Sequence, residues 1–230
     1  DTFAVHEWYR LLNTGHRVAA VGGTDKMSAG MPVGGVRTYA NIGDEEFTFD
    51  AWGRAVRAGR TYTTSGPMID LTVNGLHPGD QIDMPKGGGS VHLEATVTCT
   101  IPVHSLEIVQ NGRVIAATTS RTGQHSLTLS EEIVVDRSSW LAARCVSAHQ
   151  AWHCWPVRFG AHTSPVYVVV DRQEIFQEDL GNYLITLMQG GITWLDTLAT
   201  PSTPERHTAI KRVFEDGISR VRARLSNHTH

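Results

Sequence analysis

The sequence has little cysteine and no cysteine spacing that is typical of a zinc site. Three cysteines, Cys99, Cys145 and Cys154, occur in 230 residues, and none forms a Cys-x-x-Cys pair, the usual spacing of structural zinc ligands. No apolar run approaches the ~20 residues that a membrane-spanning helix requires. The formal net charge is −3, and no clustered basic surface of the kind that binds nucleic acid is visible. We therefore expect neither a membrane span nor a nucleic-acid partner, whereas the cellular compartment stays open.

Length and hydrophobic pattern indicate a folded chain with three parts. The 230 residues, 40% of them hydrophobic, are enough for one large or two modest domains. In residues 1–67 the pattern predicts helices over 3–14 and 49–58 and strands over 17–21 and 33–40. This βα alternation is typical of a βα-barrel, and Gly66-Pro67 mark the expected end of that part.

From Met68 to residue 171 the hydrophobic period changes to two, which is the period of β-strands. Asn74-Gly75 and Asn111-Gly112 are typical hairpin turns. Short strands separated by such turns favour an immunoglobulin-like β-sandwich. The pattern predicts seven strands: 68–73, 91–99, 105–110, 113–119, 124–135, 139–147 and 165–170.

Residues 172–230 carry helical apolar stripes. The pattern predicts helices over 173–189 and 204–225, with Gly190-Gly191 interrupting the first stripe and Pro204 starting the last helix. A C-terminal helical hairpin is the expected result. The predicted fold is therefore α/β followed by all-β and then helical.

The most informative motif is Gly22-Gly23-Thr24-Asp25, directly after the apolar run Val18–Val21. Glycine allows a sharp turn and a close approach of the backbone to a ligand, and barrel enzymes place their functional side chains at the carboxyl ends of strands. Asp25 is therefore a candidate metal ligand. An ordinary turn or an Asx-capped helix start explains the same four residues.

Four stretches carry a family resemblance: WYRLLNTGHRVAAVGGTD at 8–25, VGGVRTY at 33–39, WGRAVRAGRTYTTSGP at 52–67 and AHTSPVYVVV at 161–170. In this order and spacing, the chain resembles the carbaryl-hydrolase-like (CehA/McbA) branch of the PHP, or polymerase and histidinol phosphatase, metallohydrolases. The resemblance implies that residues 1–67 are the C-terminal part of a PHP-type barrel. It further implies a divalent zinc, manganese or iron ion with Asp25 among its ligands, and hydrolysis of a phosphoester, carbamate or related ester.

Two departures from the family pattern reduce the ligand set. Met27 stands where the wider PHP group has a second ligand, a histidine, and a thioether is a poor ligand beside water and carboxylate. The family's initial His-x-His strand is missing, since His228-Thr229-His230 is the only such triplet. We therefore expect a C-terminal fragment of a longer enzyme that is inactive alone. Its metal belongs to the intact protein, and this chain need not bind it. Its partners include the missing N-terminal barrel part or a second copy of the chain.

Three weaker candidates surround this motif. Arg37 could bind an anionic substrate group as a planar fork or form a structural ion pair. Lys26 could neutralise Asp25 or steer an anion, or simply be solvent-exposed. His16 lies at a predicted helix C-terminus, where a favourable interaction with the helix dipole is the ordinary explanation.

The predicted strand order places the three cysteines and several histidines at one end of the core. If residues 91–99 and 139–147 are facing strands that run parallel, Cys99 and Cys145 lie at the same end of the core. Cys154 and the loop histidines His104, His149 and His153 lie at that end as well. A disulfide or a Cys/His metal site is then conceivable, although buried free cysteine is the commoner arrangement.

Two other functions remain alongside the hydrolase. The chain could be a non-catalytic β-sandwich binding module for a sugar or a protein partner, in which Asp25 is incidental. Alternatively, the sandwich and the helices only brace or oligomerise a barrel. An upstream sequence with a His-x-His strand would favour the hydrolase.

Overall fold

The computed structural model describes residues 2–151, 157–200 and 203–228. The chain divides into two compact units: Asp1–Leu12 with Arg17–Ile175, and Asn13–His16 with Phe176–His230. None of the helices in these described ranges is long and apolar enough to cross a membrane.

The first unit is built mainly of antiparallel strands with two helices. Helix α1 spans Thr2–Asn13, and its last residue falls in the second unit. The remaining elements follow in chain order: β1 Arg37–Ala40, α2 Phe49–Arg57, β2 Thr61–Thr64, β3 Met68–Val73, β4 Gln81–Met84, β5 Gly89–Gln110, β6 Arg113–Val135, β7 Ser139–Ala151, β8 Val157–Thr163 and β9 Val166–Val170.

The strands form a β-sandwich in which two long strands belong to both layers. In the first layer, β3 and residues 126–135 of β6 flank residues 89–98 of β5. In the second layer, residues 105–110 of β5 lie between residues 113–119 of β6 and β7. Strands β8, β2 and β1 follow β7 in that order, while β9 pairs with β7 and, in parallel, with β4. The predicted sandwich is therefore confirmed, and β1 and β2, which precede residue 68, join its sheet among the described residues.

Alternating side chains of both layers make the main core. Its fully buried members include Leu71, Leu93, Leu106, Leu141 and Val168. Because successive strand residues alternate between the two faces of a sheet, every second residue of these strands faces the core. Burying a side chain of this size contributes about 1.5–3 kcal/mol.

The opposite face of β7 carries a second core under helix α1. Trp140 and Ala142 alternate with the main-core residues of β7 and pack against Tyr9 and Leu12 of α1. Helix α1 confirms the predicted helix over 3–14, since its apolar stripe faces this aromatic cluster.

The two long strands differ from the prediction of shorter, separate ones. Predicted strands 91–99 and 105–110 are one strand, β5, whose pairing with β6 shifts register between Thr98 and Ser105. Predicted strands 113–119 and 124–135 are likewise one strand, β6. A bulge lets a strand bend without ending, so the interrupted hydrophobic alternation did not mark a turn. Strands β2, β4 and β8 were not predicted.

Both Asn-Gly pairs form the expected two-residue turns. Asn74 and Gly75 have φ of 51° and 76°, and Asn111 and Gly112 have φ of 49° and 88°. Positive φ at both central residues is the geometry of a type I′ turn.

Residues 1–67 differ most from expectation. The predicted strand over 17–21 is wrong, because these residues lie outside any strand. The strand predicted over 33–40 is shorter, beginning at Arg37, and it pairs antiparallel with β2, whereas the strands of a βα-barrel run parallel. The described part of the chain shows no barrel; β1 and β2 extend the sandwich sheet through β8. Helix α2 is confirmed, with Thr48 Oγ1 accepting a hydrogen bond from Ala51 N at 3.1 Å as its N-cap.

The second unit contains the two C-terminal helices, α3 Glu178–Thr197 and α4 Pro204–His228. Their buried stripe includes Ile185, Ile218 and Val221, which confirms the predicted helical pair. The predicted interruption at Gly190-Gly191 is wrong, because α3 continues through both glycines. A Cβ on Gly191 would lie 2.9 Å from the Phe214 ring, so this glycine allows close helix packing instead of ending the helix.

Candidate functional site

Hydroxyl groups hold the backbone of the segment before Asp25, which lies outside any strand. Ala20 N donates to Ser164 Oγ, and Thr61 Oγ1 donates to Ala20 O, both at 2.8 Å. Two residues later, Gly22 N donates to Thr38 Oγ1 at 2.8 Å, and Thr38 Oγ1 donates to Gly22 O at 2.9 Å. Serine and threonine side chains thus satisfy backbone groups that a strand ladder would otherwise satisfy. The apolar composition of Val18–Val21 is typical of a buried strand, but the hydrogen-bond partners of its backbone are side chains.

Thr24 closes the loop that begins at Asp25. Its Oγ1 accepts hydrogen bonds from Gly34 N at 3.0 Å and Val36 N at 3.2 Å and donates to Val36 O at 3.1 Å. One hydroxyl therefore ties the two ends of the 25–33 loop together.

Asp25 stands at the start of this loop with its side chain exposed and with a left-handed φ of 49°. Aspartate tolerates this backbone region better than most residues do. Lys26 does not turn toward it; Lys26 Nζ donates to Ser28 O at 3.0 Å and also to Met31 O. The lysine therefore folds back on its own loop.

The other two predicted site residues have local structural partners. The Arg37 guanidinium donates to Gly34 O at 2.9 Å and to Tyr39 Oη at 3.2 Å. His16 belongs to the second unit, where its Nδ1 lies 3.1 Å from Thr14 Oγ1. The structure thus brings Asp25, Lys26 and Arg37 to the borders of one loop, and His16 takes part in a separate contact.

The residues present do not fit a complete metal centre. Within residues 2–151, 157–200 and 203–228, no three histidine, cysteine, aspartate or glutamate side chains are grouped closely enough to hold an ion. Zinc sites use three or four protein ligands, so the Asp25 carboxylate could supply one ligand at most. No catalytic step through a metal follows from this set.

The cysteine end of the core holds a small histidine cluster. The rings of His104 and His149 are 5.5 Å apart. Cys99 and Cys145 are free, and burial raises the pKa of the Cys145 thiol to about 12, which makes it unreactive. His153 and Cys154 lie outside the described residues.

His162 is a buried titratable group whose pKa is shifted well below its ordinary value. It is buried beside Trp8, and Tyr9 Oη donates to its Nε2 at 2.5 Å, while its Nδ1 donates to Thr163 O at 2.8 Å. Burial lowers its pKa to about 4. The imidazole is therefore neutral at pH 7, and the same ring that donates through Nδ1 accepts through Nε2.

The first unit has an open pocket of about 240 Å³, which we call the tyrosine pocket. Strands β1, β2, β3 and β8 and the turn before β4 supply its lining: Tyr39, Ala40, Asn41, Arg60, Thr61, Tyr62, Ile69, Asp70, His77, Pro78 and Thr163. Thr61, Ile69 and Thr163 are buried, whereas Arg60, Asp70 and His77 are exposed. The pocket therefore has a buried floor and a charged rim.

Two stacked tyrosines contribute to the wall of this pocket. Tyr39 and Tyr62 are register partners on β1 and β2, with ring centroids 5.0 Å apart and ring planes at 11°. The pKa of Tyr62 is raised to about 12, mainly by burial and secondly by the neighbouring Tyr39. Its hydroxyl therefore stays protonated. Sequence reasoning missed this site; its one signal is a tyrosine in each of two short polar stretches, RTYA and TYTT.

No protein-family model matches the chain, and no curated protein matches its sequence. Fibronectin(III)-like modules of Clostridium thermocellum CbhA match with 17% identity and a TM-score of 0.29, over 45% of this chain and 97% of that chain. A Jonesia denitrificans lytic polysaccharide monooxygenase matches with 14% identity and a TM-score of 0.26, over 58% and 76% of the two chains. At these TM-scores, neither match carries a functional argument.

Proposed function

We propose that this chain acts as a non-catalytic β-sandwich binding module whose binding site is the tyrosine pocket. The observation that carries the proposal is an open pocket on sheet strands that combines a buried floor, an aromatic wall and charged groups at the rim. Mostly apolar concave sites with a few polar groups are typical of small-molecule recognition.

Two of the rim side chains are available to a ligand. In the part of the chain that the structure describes, neither Arg60 nor Asp70 forms an ion pair or a side-chain hydrogen bond. Both residues adjoin or lie within strands of the sandwich sheet, which holds their backbones in place. Sites on regular elements are positioned more accurately than sites on loops.

The proposal is tested by ligand-observed NMR screening of single-ring compounds, followed by ¹H–¹⁵N spectra of the ¹⁵N-labelled chain with each binder. We expect binders that shift the amides of Tyr62 and Thr163 and that bind at least tenfold more weakly to Asp70→Asn or Tyr39→Ala. Asp136→Asn and Tyr183→Ala replace the same residue types elsewhere and should bind as the wild type does. Binders that keep equal affinity for all four variants would show that the pocket is not the site.

A second candidate is the C-terminal part of a PHP-like metal-dependent hydrolase, to which this chain contributes the aspartate ligand Asp25. The observation that favours it is the placement of Asp25: an exposed carboxylate that follows an anchored segment and starts a loop closed by Thr24. A metal bound there in the longer enzyme would supply Lewis-acid activation of water. The chain's own contribution would be to hold the Asp25 carboxylate in place through Gly22 and Thr24.

Paramagnetic broadening by Mn²⁺ tests this second candidate. We expect weak broadening centred on the amides of residues 23–26 that Asp25→Ala removes and that Asp44→Ala, an exposed aspartate in another loop, leaves unchanged. We also expect no appreciable turnover of an aryl phosphate or an aryl carbamate by this chain with zinc or manganese. Metal-dependent turnover that Asp25→Ala does not alter would contradict the assignment of Asp25.

A further inference from the structure

The size of the tyrosine pocket restricts its ligand to about one ring. Its volume of about 240 Å³ lies below the ~300–1,000 Å³ of pockets that hold drug-sized ligands. The pocket is open to solvent at its rim, so a ring that continues into a longer chain can also enter.

The charges on the rim select against ligands of strong net charge. Arg60 and Asp70 both line the pocket, so an anion that pairs with the guanidinium also meets a carboxylate. A cation that pairs with Asp70 likewise meets Arg60. With one cationic and one anionic side chain beside His77, the lining favours no ligand of strong net charge and suits a neutral one.

Hydroxyl groups can hydrogen-bond to Arg60 and to Asp70 at the same time. A guanidinium only donates hydrogen bonds and an ionised carboxylate only accepts them, whereas a hydroxyl does both. Neighbouring hydroxyls on one ring can therefore accept from Arg60 and donate to Asp70. Asn41 lines the same pocket; its Oδ1 already accepts a hydrogen bond from Gly43 N at 2.9 Å, and its amide nitrogen can donate to a ligand.

The tyrosine wall fits the apolar face of such a ring. Stacked Tyr39 and Tyr62 offer aromatic surface beside the buried Ile69. Aromatic side chains supply large apolar contact area with specific geometry. A saturated ring with C–H groups on one face and hydroxyls at its edge uses both the wall and the rim.

We propose that the tyrosine pocket binds a neutral, hydroxylated six-membered ring, either as a free monosaccharide or as the terminal sugar of a glycan. This inference rests on the binding function proposed above and names its ligand class. Tyr39 and Tyr62 contact the ring face, and Arg60 and Asp70 hydrogen-bond its hydroxyls.

Saturation-transfer NMR with the full 230-residue chain tests the ligand class. The probes are methyl glucoside, methyl galactoside, methyl mannoside and N-acetylglucosamine, with benzoate and phenyl phosphate as ring compounds of net charge. We expect millimolar binding of at least one sugar, weakened at least tenfold in Asp70→Asn and in Arg60→Gln. The exposed control variants Asp136→Asn and Arg113→Gln should stay within twofold of the wild type.

The outcomes separate this inference from the binding function itself. Binding of benzoate or phenyl phosphate that depends on Arg60, without binding of any sugar, would overturn the sugar assignment and leave the binding module standing. Absence of any pocket-dependent binding in both sets would overturn both. If a sugar binds, an oligosaccharide that ends in the same sugar distinguishes the two sources. Competition with equal affinity would identify a glycan terminus as the ligand. Failure to compete would show that only the free sugar fits.

Discussion

At the scale of single residues, the burial of His162 makes the free energy of unfolding depend on pH. Its folded-state pKa of about 4 lies below the ordinary value of 6.5, because the buried ring cannot be hydrated when charged. The folded state therefore binds a proton less readily than the unfolded state does. The associated stability is fully present above pH 6.5 and is lost as pH falls toward 4.

We predict that unfolding by urea will show this loss directly. Between pH 6.5 and pH 4, His162 should account for a decrease of about 3 kcal/mol in the free energy of unfolding. His162→Gln cannot be protonated in this range, and the pH dependence of its stability should be correspondingly smaller. His92→Gln, at an exposed position, should retain the wild-type slope; equal slopes in all three proteins would contradict the prediction.

Gly22 and Gly23 differ in what surrounds them, although they are neighbours in the sequence. A Cβ on Gly22 would lie 2.2 Å from Thr63 Oγ1 and 3.1 Å from Val36 Cγ1, whereas a Cβ on Gly23 has no neighbour within 4 Å. Overpacking of this kind typically costs about 1–3 kcal/mol.

We predict that Gly22→Ala will destabilise the protein by about 1–3 kcal/mol, and that Gly23→Ala will be neutral or slightly stabilising. Chemical denaturation measures both values. Equal stabilities of the two variants would mean that Thr63 rotates away at no cost and that the segment before Asp25 is not tightly packed.

At the scale of elements, helix α3 contains two neighbouring glycines that also differ in the space around them. Gly190 has open space at its Cβ position, but Gly191 faces the ring of Phe214 on α4. A glycine in a helix interior is less favourable than alanine by about 0.5–1 kcal/mol. At Gly191 this cost is offset, because α4 lies too close for a side chain at that position.

We predict opposite effects of alanine at these two positions. Gly190→Ala should stabilise the helical unit by about 0.5–1 kcal/mol, and Gly191→Ala should destabilise it because the new methyl group meets Phe214. Circular dichroism at 222 nm during thermal unfolding follows the helices. Stabilisation by both substitutions would show that the interhelical contact at Phe214 relaxes easily.

At the scale of the whole molecule, the most exposed large hydrophobic side chains of the described residues occur within one sequence region. Met27, Val33, Phe47 and Phe49 are each 82% to 85% exposed. Such side chains favour association where they form one surface patch, and substitution of two of them tests whether these four residues do so.

We predict that the chain forms a homo-oligomer that these side chains stabilise. The double substitution Val33→Ser with Phe47→Ser should weaken self-association at least tenfold in light-scattering titrations, without loss of folding, because both side chains are exposed. Val134→Ser, at a position that is 73% exposed on β6, should leave association unchanged. A wild-type chain that stays monomeric at high concentration would contradict the prediction.

The sandwich and the helices could be predicted from the sequence because each rests on a local period. The alternation along β3 and the two Asn-Gly turns specify strands and hairpins without knowledge of the partner strand. The segment around Val18–Val21 could not be predicted, because its backbone partners are the side chains of Ser164, Thr61 and Thr38, which lie far away in sequence. Hydrogen bonds of this kind leave no period in the sequence.

The two candidate sites also differ in whether the sequence alone could locate them. Asp25 and its loop could be located from the Gly22–Asp25 motif, and its role as a metal ligand stays a prediction. The tyrosine pocket could not be located, because it forms only when β1, β2, β3 and β8 come together. Arg60 and Asp70 are unremarkable in sequence, and their proximity depends on strand order.

The shared strands β5 and β6 have a consequence for the order of folding. Both strands run through both layers, and the turn that joins them, Asn111-Gly112, is local. Contacts between residues near in sequence form faster than those that close long loops, so this hairpin can form before β3, β7 and β8 dock on either side of it. The amides that are hydrogen-bonded between β5 and β6 should then exchange with solvent only on global unfolding, because both layers are built on these two backbones.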